Sequence, residues 1–320
     1  MINQRRVEIP NSDGGIIINF TKQKWLEALG KPSYNVPRGT TKFIRTFSHE
    51  EFDAELYIQE NGCGKHQRVM MVFPKELKDK APAIAVPFYF PEAMLGFDPA
   101  TNEVLEPYKD IEMMLHLARR GYITACADAY HLTYIESTKN KRDFTRWQDA
   151  ADELRRDHPN YSGMGKLFDD TELLLDMLYN DERVDNSRIG IAGHSLGGKM
   201  AFYTGCLDDR ICAILASDFG IGWDQTNWRE DWYWSNIVDN LIAKGMDHTE
   251  LLSIAAPKAF CLIAGQYDTD ESYKMMLQAR GYESQPERLK FINHATGHRP
   301  PLWALEEGYD FLDRWVKNKK

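Results

Sequence analysis

The 320-residue sequence has no surplus of basic charge. Its 39 Lys and Arg stand against 48 Asp and Glu, a formal net charge of -9. A nucleic-acid-binding role is therefore excluded on charge, since nothing is left over to neutralise phosphates. The acidic balance serves solubility. Cysteine is scarce: Cys63, Cys126, Cys206, Cys212 and Cys261 lie far apart, odd in number, with no C-x-x-C pair. Three of them sit in apolar runs and read as small buried residues. That pattern argues against a disulfide framework and for a reducing, cytoplasmic setting. Long apolar runs are also missing. No stretch approaches the roughly 18 residues of a membrane span, so no membrane association is expected. The opening MINQRRVEIP lacks the apolar segment of a secretory signal. Internal repeats and low-complexity segments are absent, which excludes a solenoid.

What is present is an ordinary globular composition, 43% hydrophobic and 27% charged, with enough apolar side chain for a large core. Residues 1–50 are polar and irregular apart from TKQKWLEALG (21–30), a short helix stopped by Gly30. They read as an N-terminal extension to a single domain over 51–320. Strands are predicted at 53–59 and 67–74, and a strand buried on both faces at APAIAVPFYF (81–90). Helix 109–121 leads to another buried strand in YITACADAY. A helix over 165–181 shows apolar spacings of three and four. Strand 188–193, a helix beginning near Lys199, strand 211–217, strand 258–265, helix 271–281, strand 288–294 and a terminal helix over 301–319 complete the order. Alternating strands and helices predict an α/β fold, a mostly parallel sheet flanked by helices. Two excursions, 131–165 and 218–250, read as insertions over the carboxyl edge of that sheet.

The most informative stretch is GIAGHSLGGKM (190–200). A G-x-S-x-G pattern is weak alone and informative where it joins a strand to a helix, as here. The serine of such an elbow sits on a turn too sharp for neighbouring side chains, so Gly193 and Gly197 relieve crowding. Ser195 then stands at the sheet's carboxyl end over a helix N-terminus, which favours negative charge. The Leu196 N–H can point at a developing oxyanion.

With its lead-in, FDDTELLLDMLYNDERVDNSRIGIAGHSLGG, this stretch resembles the α/β-hydrolase superfamily. The nearer likeness is to its dienelactone-hydrolase-like and acetyl-xylan-esterase-like branch. AGQYD and ATGHRPP carry the rest of the resemblance, which spans about residues 65–320. The resemblance implies the α/β-hydrolase fold and a nucleophile, acid and histidine in that chain order. It places the acid at Asp268, just past strand 258–265, with Asp270 as the rival; a capping role before the next helix suits Asp270 better. It places the histidine at His298, after Gly297 and before a proline-started helix, with His294 as the rival that ends a strand. A metal on His294 and His298 is disfavoured, because their i, i+4 spacing needs a helix that Gly297, Pro300 and Pro301 oppose. His194 is read as packing beside the sheet, not as the base. Many relatives carry His-Gly in the loop that supplies the second oxyanion donor. Here that loop reads Phe88-Tyr89-Phe90, and Phe90 is taken as the donor, with Tyr89 as the alternative.

Four of the eight tryptophans, Trp223, Trp228, Trp232 and Trp234, fall within residues 218–234. Their place in the chain order puts them near the sheet's carboxyl edge, where ligands bind in such folds. They are read as substrate-pocket walls, with a hydrophobic anchor or a dimer surface as the plainer alternative. Tyr130 and His131 follow another strand end and are expected to line the same cleft.

The function expected is a serine hydrolase of a small carboxylic ester, perhaps of a carbohydrate, working through an acyl-enzyme without cofactor or metal. Two alternatives remain: a prolyl-oligopeptidase-type serine peptidase, for whose propeller the chain is too short, and a non-catalytic binding protein. Dienelactone hydrolases proper carry cysteine where Ser195 stands. The expected partner is a small-molecule ester. Nothing in the sequence sets the oligomeric state.

Overall fold

The computed structural model describes residues 22–34, 38–75, 77, 79–141 and 143–318. The polar start of the chain and the last residue of the expected terminal helix, Lys319, lie outside them. In chain order the first elements are α1 (Lys22–Leu29), β1 (Arg38–Ser48), β2 (Phe52–Asn61), β3 (His66–Pro74) and β4 (Ala81–Ala85). Next come α2 (Pro91–Leu95), a small ribbon of β5 (Phe97–Asp98) and β6 (Glu103–Val104), α3 (Met113–Arg119) and β7 (Ile123–Ala127). The middle of the chain forms α4 (Tyr130–Thr133), α5 (Phe144–Asp157), α6 (Gly163–Asn180), β8 (Val184–His194), α7 (Leu196–Leu207) and β9 (Ile211–Ser217). It closes with α8 (Asp231–Trp234), α9 (Val238–Ala243), α10 (His248–Ala255), β10 (Ala259–Ala264), α11 (Asp270–Leu277), β11 (Leu289–Asn293) and α12 (Leu302–Leu312).

Nine strands form one sheet in the order β1-β2-β3-β7-β4-β8-β9-β10-β11. From β7 to β11 every neighbouring pair is parallel, while β1, β2 and β3 join antiparallel at one edge. The parallel part matches its sequence. Every residue of β4, β7 and β10 is buried, as all-apolar strands covered on both faces must be. Two apolar cores result, one on each face of the sheet.

Two expectations need correction. β4 ends at Ala85, not Phe90, because Pro87 has no N–H for a ladder and the chain turns away there. Residues 38–48 form β1, a full strand paired with β2, rather than irregular chain. Its sequence RGTTKFIRTFS carries no apolar alternation, since nearly all of it is exposed. The excursions fold mainly as helices: α4 and α5 in the first, α8, α9 and the start of α10 in the second. No helix among the described residues is long and apolar enough to cross a membrane.

Candidate active site

β8 runs straight into the elbow. Ser195 follows it with φ 56 and ψ −116, in the left-handed region that a residue with a Cβ rarely adopts. Its N–H donates to the Ser217 carbonyl at 2.8 Å, which ties the bend to the end of β9. The glycines are explained by distance. A Cβ on Gly193 would stand 2.1 Å from the Gly197 carbonyl oxygen, and one on Gly197 would stand 2.2 Å from the Pro87 oxygen. Only bare backbone fits at either position. The second contact also brings the loop after β4 against the start of α7. Leu196 opens α7, so its N–H is among those at a helix start with no partner inside the helix.

Ser195 is partly exposed, and its Oγ lies 2.9 Å from His298 Nε2. His298 comes from the loop between β11 and α12, as expected. Its imidazole sits between His194, with ring centroids 4.7 Å apart, and the edge of Tyr267 at 4.9 Å. His194 therefore flanks the site instead of packing away from it, and bonds Ser217 Oγ through Nδ1 at 3.2 Å. Burial, with His298 beside it, pushes His194 down to about 3, so it is neutral at pH 7. His294 lies under Gly265 and bonds Thr296 Oγ1 at 2.7 Å, away from Ser195.

The carboxylate beside His298 is not the expected one. His298 Nδ1 stands 2.6 Å from Oδ2 of Asp218, the first residue after β9, and Asp268 does not reach it. Asp218 is fully buried. Its Oδ1 accepts the backbone N–H groups of Gly265, Gln266, Tyr267 and Asp268 at 2.8–3.2 Å. Burial alone would raise the Asp218 carboxyl. The His298 hydrogen bond and these N–H groups outweigh it and hold the carboxyl below its ordinary value.

Asp268, also fully buried, spends its carboxylate on the next loop. Oδ2 accepts from the N–H groups of Phe219 and Gly220 and Oδ1 from that of Ile221, each at 2.8 Å. Burial raises its pKa against those bonds. The two aspartates lie in the loops that follow neighbouring parallel strands, β9 and β10. Sequence order could not separate them, because each follows an apolar strand at the same edge of the sheet. Asp270, the rival, caps nothing: Thr269 is the N-cap of α11, and Asp270 accepts from Asn293 instead.

Lys199, one turn into α7, is buried under the same loop. It donates to the Phe219 carbonyl at 2.9 Å and lies 4.1 Å from the Trp228 ring centroid. Burial pushes it down to about 7, against the pull of Asp268 and Asp218.

The four tryptophans do not line an open cleft. Trp228 and Trp234 have no exposed surface, and Trp223 and Trp232 keep 6% and 8%. Trp223 stacks on Trp25 of α1 at 6.4 Å and donates to the Met246 carbonyl. Trp228 donates to the Gly220 carbonyl, and Trp232 stacks on Phe144 of α5. Tyr130 is wholly buried and donates to the Trp232 carbonyl at 2.7 Å. His131 stacks on Trp147 at 3.8 Å. These residues fasten the insertions to each other and to α1. A pocket wall keeps a face open to solvent, and Trp228, Trp234 and Tyr130 keep none. Phe90 lies in the loop after β4 with an extended backbone, its ring packed on Tyr108 and under Lys141.

A strand-turn-serine-helix elbow on a sheet of this order decides the architecture. The fold is that of the α/β-hydrolases. Residues 102–219 match the family model described as the dienelactone hydrolase family, a stretch that contains both Ser195 and Asp218. Among curated proteins, the chain is 26% identical over 163 residues to Bacillus subtilis YtaP, named as a hydrolase by inference. That match covers 48% of this chain and 54% of YtaP, so the chain spans about half the length of the curated relative it matches. Among solved structures, a glucuronoyl esterase from Solibacter usitatus superposes with TM-score 0.67 at 13% identity, over 91% of each chain. A glucuronoyl esterase from Teredinibacter turnerae gives TM-score 0.60 at 18% identity, over 91% of this chain and 83% of that chain. Acetyl xylan esterase 1 from Thermoanaerobacterium sp. gives TM-score 0.53 at 14% identity, over 93% and 92%.

Proposed function

We propose that this α/β-hydrolase is a serine hydrolase of carboxylic esters, and that its substrate is a small acyl ester of a carbohydrate. The observation that carries the reading is the continuous line from Asp218 Oδ2 through His298 to Ser195 Oγ, with both links at hydrogen-bond distance. Ser195 attacks the ester carbonyl while His298 Nε2 takes its proton. Asp218 holds Nδ1–H, fixes the tautomer and stabilises the imidazolium. The N–H of Leu196 and a second from the loop after β4, assigned to Phe90 with Tyr89 as the alternative, hold the oxyanion. His298 returns the proton to the leaving alcohol. Water then repeats the sequence on the acyl-enzyme. The carbohydrate part of the reading draws on the glucuronoyl and acetyl xylan esterases that share the fold.

The test is a fluorophosphonate probe followed by a substrate panel. Wild-type protein should be labelled at Ser195, and Ser195→Ala should be unlabelled, folded and about 10⁴-fold slower or worse, the scale of a lost triad member. Acetylated sugars and methyl esters of sugar acids should be turned over in preference to aminoacyl amides. Folded protein that neither reacts with the probe nor cleaves any ester would favour a binding role, and a preference for amides would favour a peptidase.

A further inference from the structure

The serine-hydrolase reading gives Asp268 no part in the chemistry, yet Asp268 is buried at the edge of the site and forms no ion pair among the described residues. We propose that Asp268 is a positioning residue for the reaction and acts through Asp218, by setting the loop from which Asp218 reaches His298. The inference rests on the reading of Ser195, His298 and Asp218 as the reacting line.

The geometry is reciprocal. Asp218 stands first in the loop after β9, at φ 43, a conformation that a residue with a side chain keeps only where its surroundings enforce it. The next three N–H groups, of Phe219, Gly220 and Ile221, all point at the Asp268 carboxylate. Four N–H groups of the loop after β10, including that of Asp268 itself, point back at Asp218 Oδ1. Each carboxylate thus fills a concavity of backbone N–H groups built from the other's loop. The Asp218 N–H donates to the Ile263 carbonyl of β10 at 2.7 Å, and the Gly265 N–H closes the loop after β10 on the Asp268 carbonyl at 3.0 Å. Oδ2 of Asp218 is the one carboxylate oxygen of the four that leaves this lock, and it goes to His298. Lys199 secures the same loop from below through the Phe219 carbonyl.

Asparagine at 268 would keep an acceptor for two of the three N–H groups and turn its own NH2 against the third. The loop would shift by a fraction of an ångström, and misplacements of about 1 Å can cost on the order of 10² in rate. The experiment compares Asp268→Asn, Asp218→Asn and the double variant, after circular dichroism shows each folded. Kinetics use a small acetate ester, and proton NMR follows the low-field Nδ1 proton of His298, which needs no substrate. Asp268→Asn should lower kcat by about 10- to 100-fold with KM nearly unchanged, and should move or broaden the low-field signal. The double variant should be no slower than Asp218→Asn alone, because residues acting in series do not add. Losses that multiply in the double variant, or an unmoved low-field proton, would overturn the proposal. So would a larger loss from Asp268→Asn than from Asp218→Asn. If Asp268→Asn does not fold, Asp268→Ser, which keeps an acceptor and brings no amide against the loop, carries the same readouts. A wild-type protein without esterase activity would sink the serine-hydrolase reading, while the NMR arm would still decide whether Asp268 controls the Asp218–His298 bond.

Discussion

Asp218→Asn separates this site from the one expected from chain order. Four backbone N–H groups converge on Asp218 Oδ1. An asparagine there must turn its oxygen to them, since an NH2 facing them would leave the N–H groups of Gln266, Tyr267 and Asp268 unpaired in a buried site. The NH2 is then forced towards His298 Nδ1 at 2.6 Å, where Asp218 now accepts. Nδ1 must become the acceptor, so the proton moves to Nε2, the atom that has to take the proton of Ser195. The variant should fold, because the loop keeps its acceptor, but the base is in the wrong tautomer. A comparable substitution in a serine protease lowers kcat by about 10⁴, which corresponds to about 5.4 kcal/mol of transition-state stabilisation at 1.36 per tenfold. Steady-state kinetics on an acetate ester, beside a thermal melt, check this. A folded variant with more than a tenth of the wild-type rate would refute the assignment of Asp218, and an intact rate with a dead Asp268→Asn would restore Asp268.

Three further outcomes follow from the coordinates. Gly197→Ala places a Cβ 2.2 Å from the Pro87 oxygen; kcat/KM should fall by at least about 10², the scale of a lost oxyanion donor, and wild-type kinetics in this variant would show that the loop after β4 is not held by that contact. Trp228→Ala removes a side chain with no exposed surface and should destabilise by about 3–5 kcal/mol, read as a lower urea midpoint, with the ratio of rates on bulky and minimal esters unchanged; a changed ratio would return the tryptophan to the substrate pocket. His131 is pushed down to about 3 by burial, so its proton binds the unfolded chain first. The stability this gives is present above its ordinary value near 6.5 and is lost as pH falls from there towards 3. Between pH 7 and pH 5 the loss is about 2 kcal/mol, and His131→Gln should show a shallower fall in urea stability by that amount; parallel curves would contradict it.

The sequence announced the parallel strands because each is apolar on both faces, and it announced the elbow because glycines are needed where Pro87 and Gly197 nearly touch. His298 was legible from its loop. Asp218 was not. It follows the apolar run ICAILAS much as Asp268 follows KAFCLIAGQY, both carboxylates take the opposing loop's N–H groups, and only the fold decides which keeps an oxygen for His298. The tryptophans were misread for a related reason. An aromatic cluster in an insertion signals that something covers it, but not what. The cover is Trp25 of α1 together with Tyr203 and His248. β1 escaped notice because an edge strand exposed on both faces has no periodicity to reveal it.

That cover gives the protein an uneven optical signature. Trp25, Trp223, Trp228 and Trp234 lie within 5.7–6.4 Å of one another along a chain of contacts through Trp223. Indoles this close couple electronically and should produce a strong near-ultraviolet circular dichroism band and a short-wavelength emission. The nine-stranded sheet contributes no tryptophan to its strands. The coupled near-ultraviolet band, which Trp147, Trp303 and Trp315 do not share, will therefore watch the docking of the second insertion on α1 and α7. A melt followed that way can part company from one followed by backbone signal, and the gap between the two midpoints measures how tightly the insertion is coupled to the sheet beneath it.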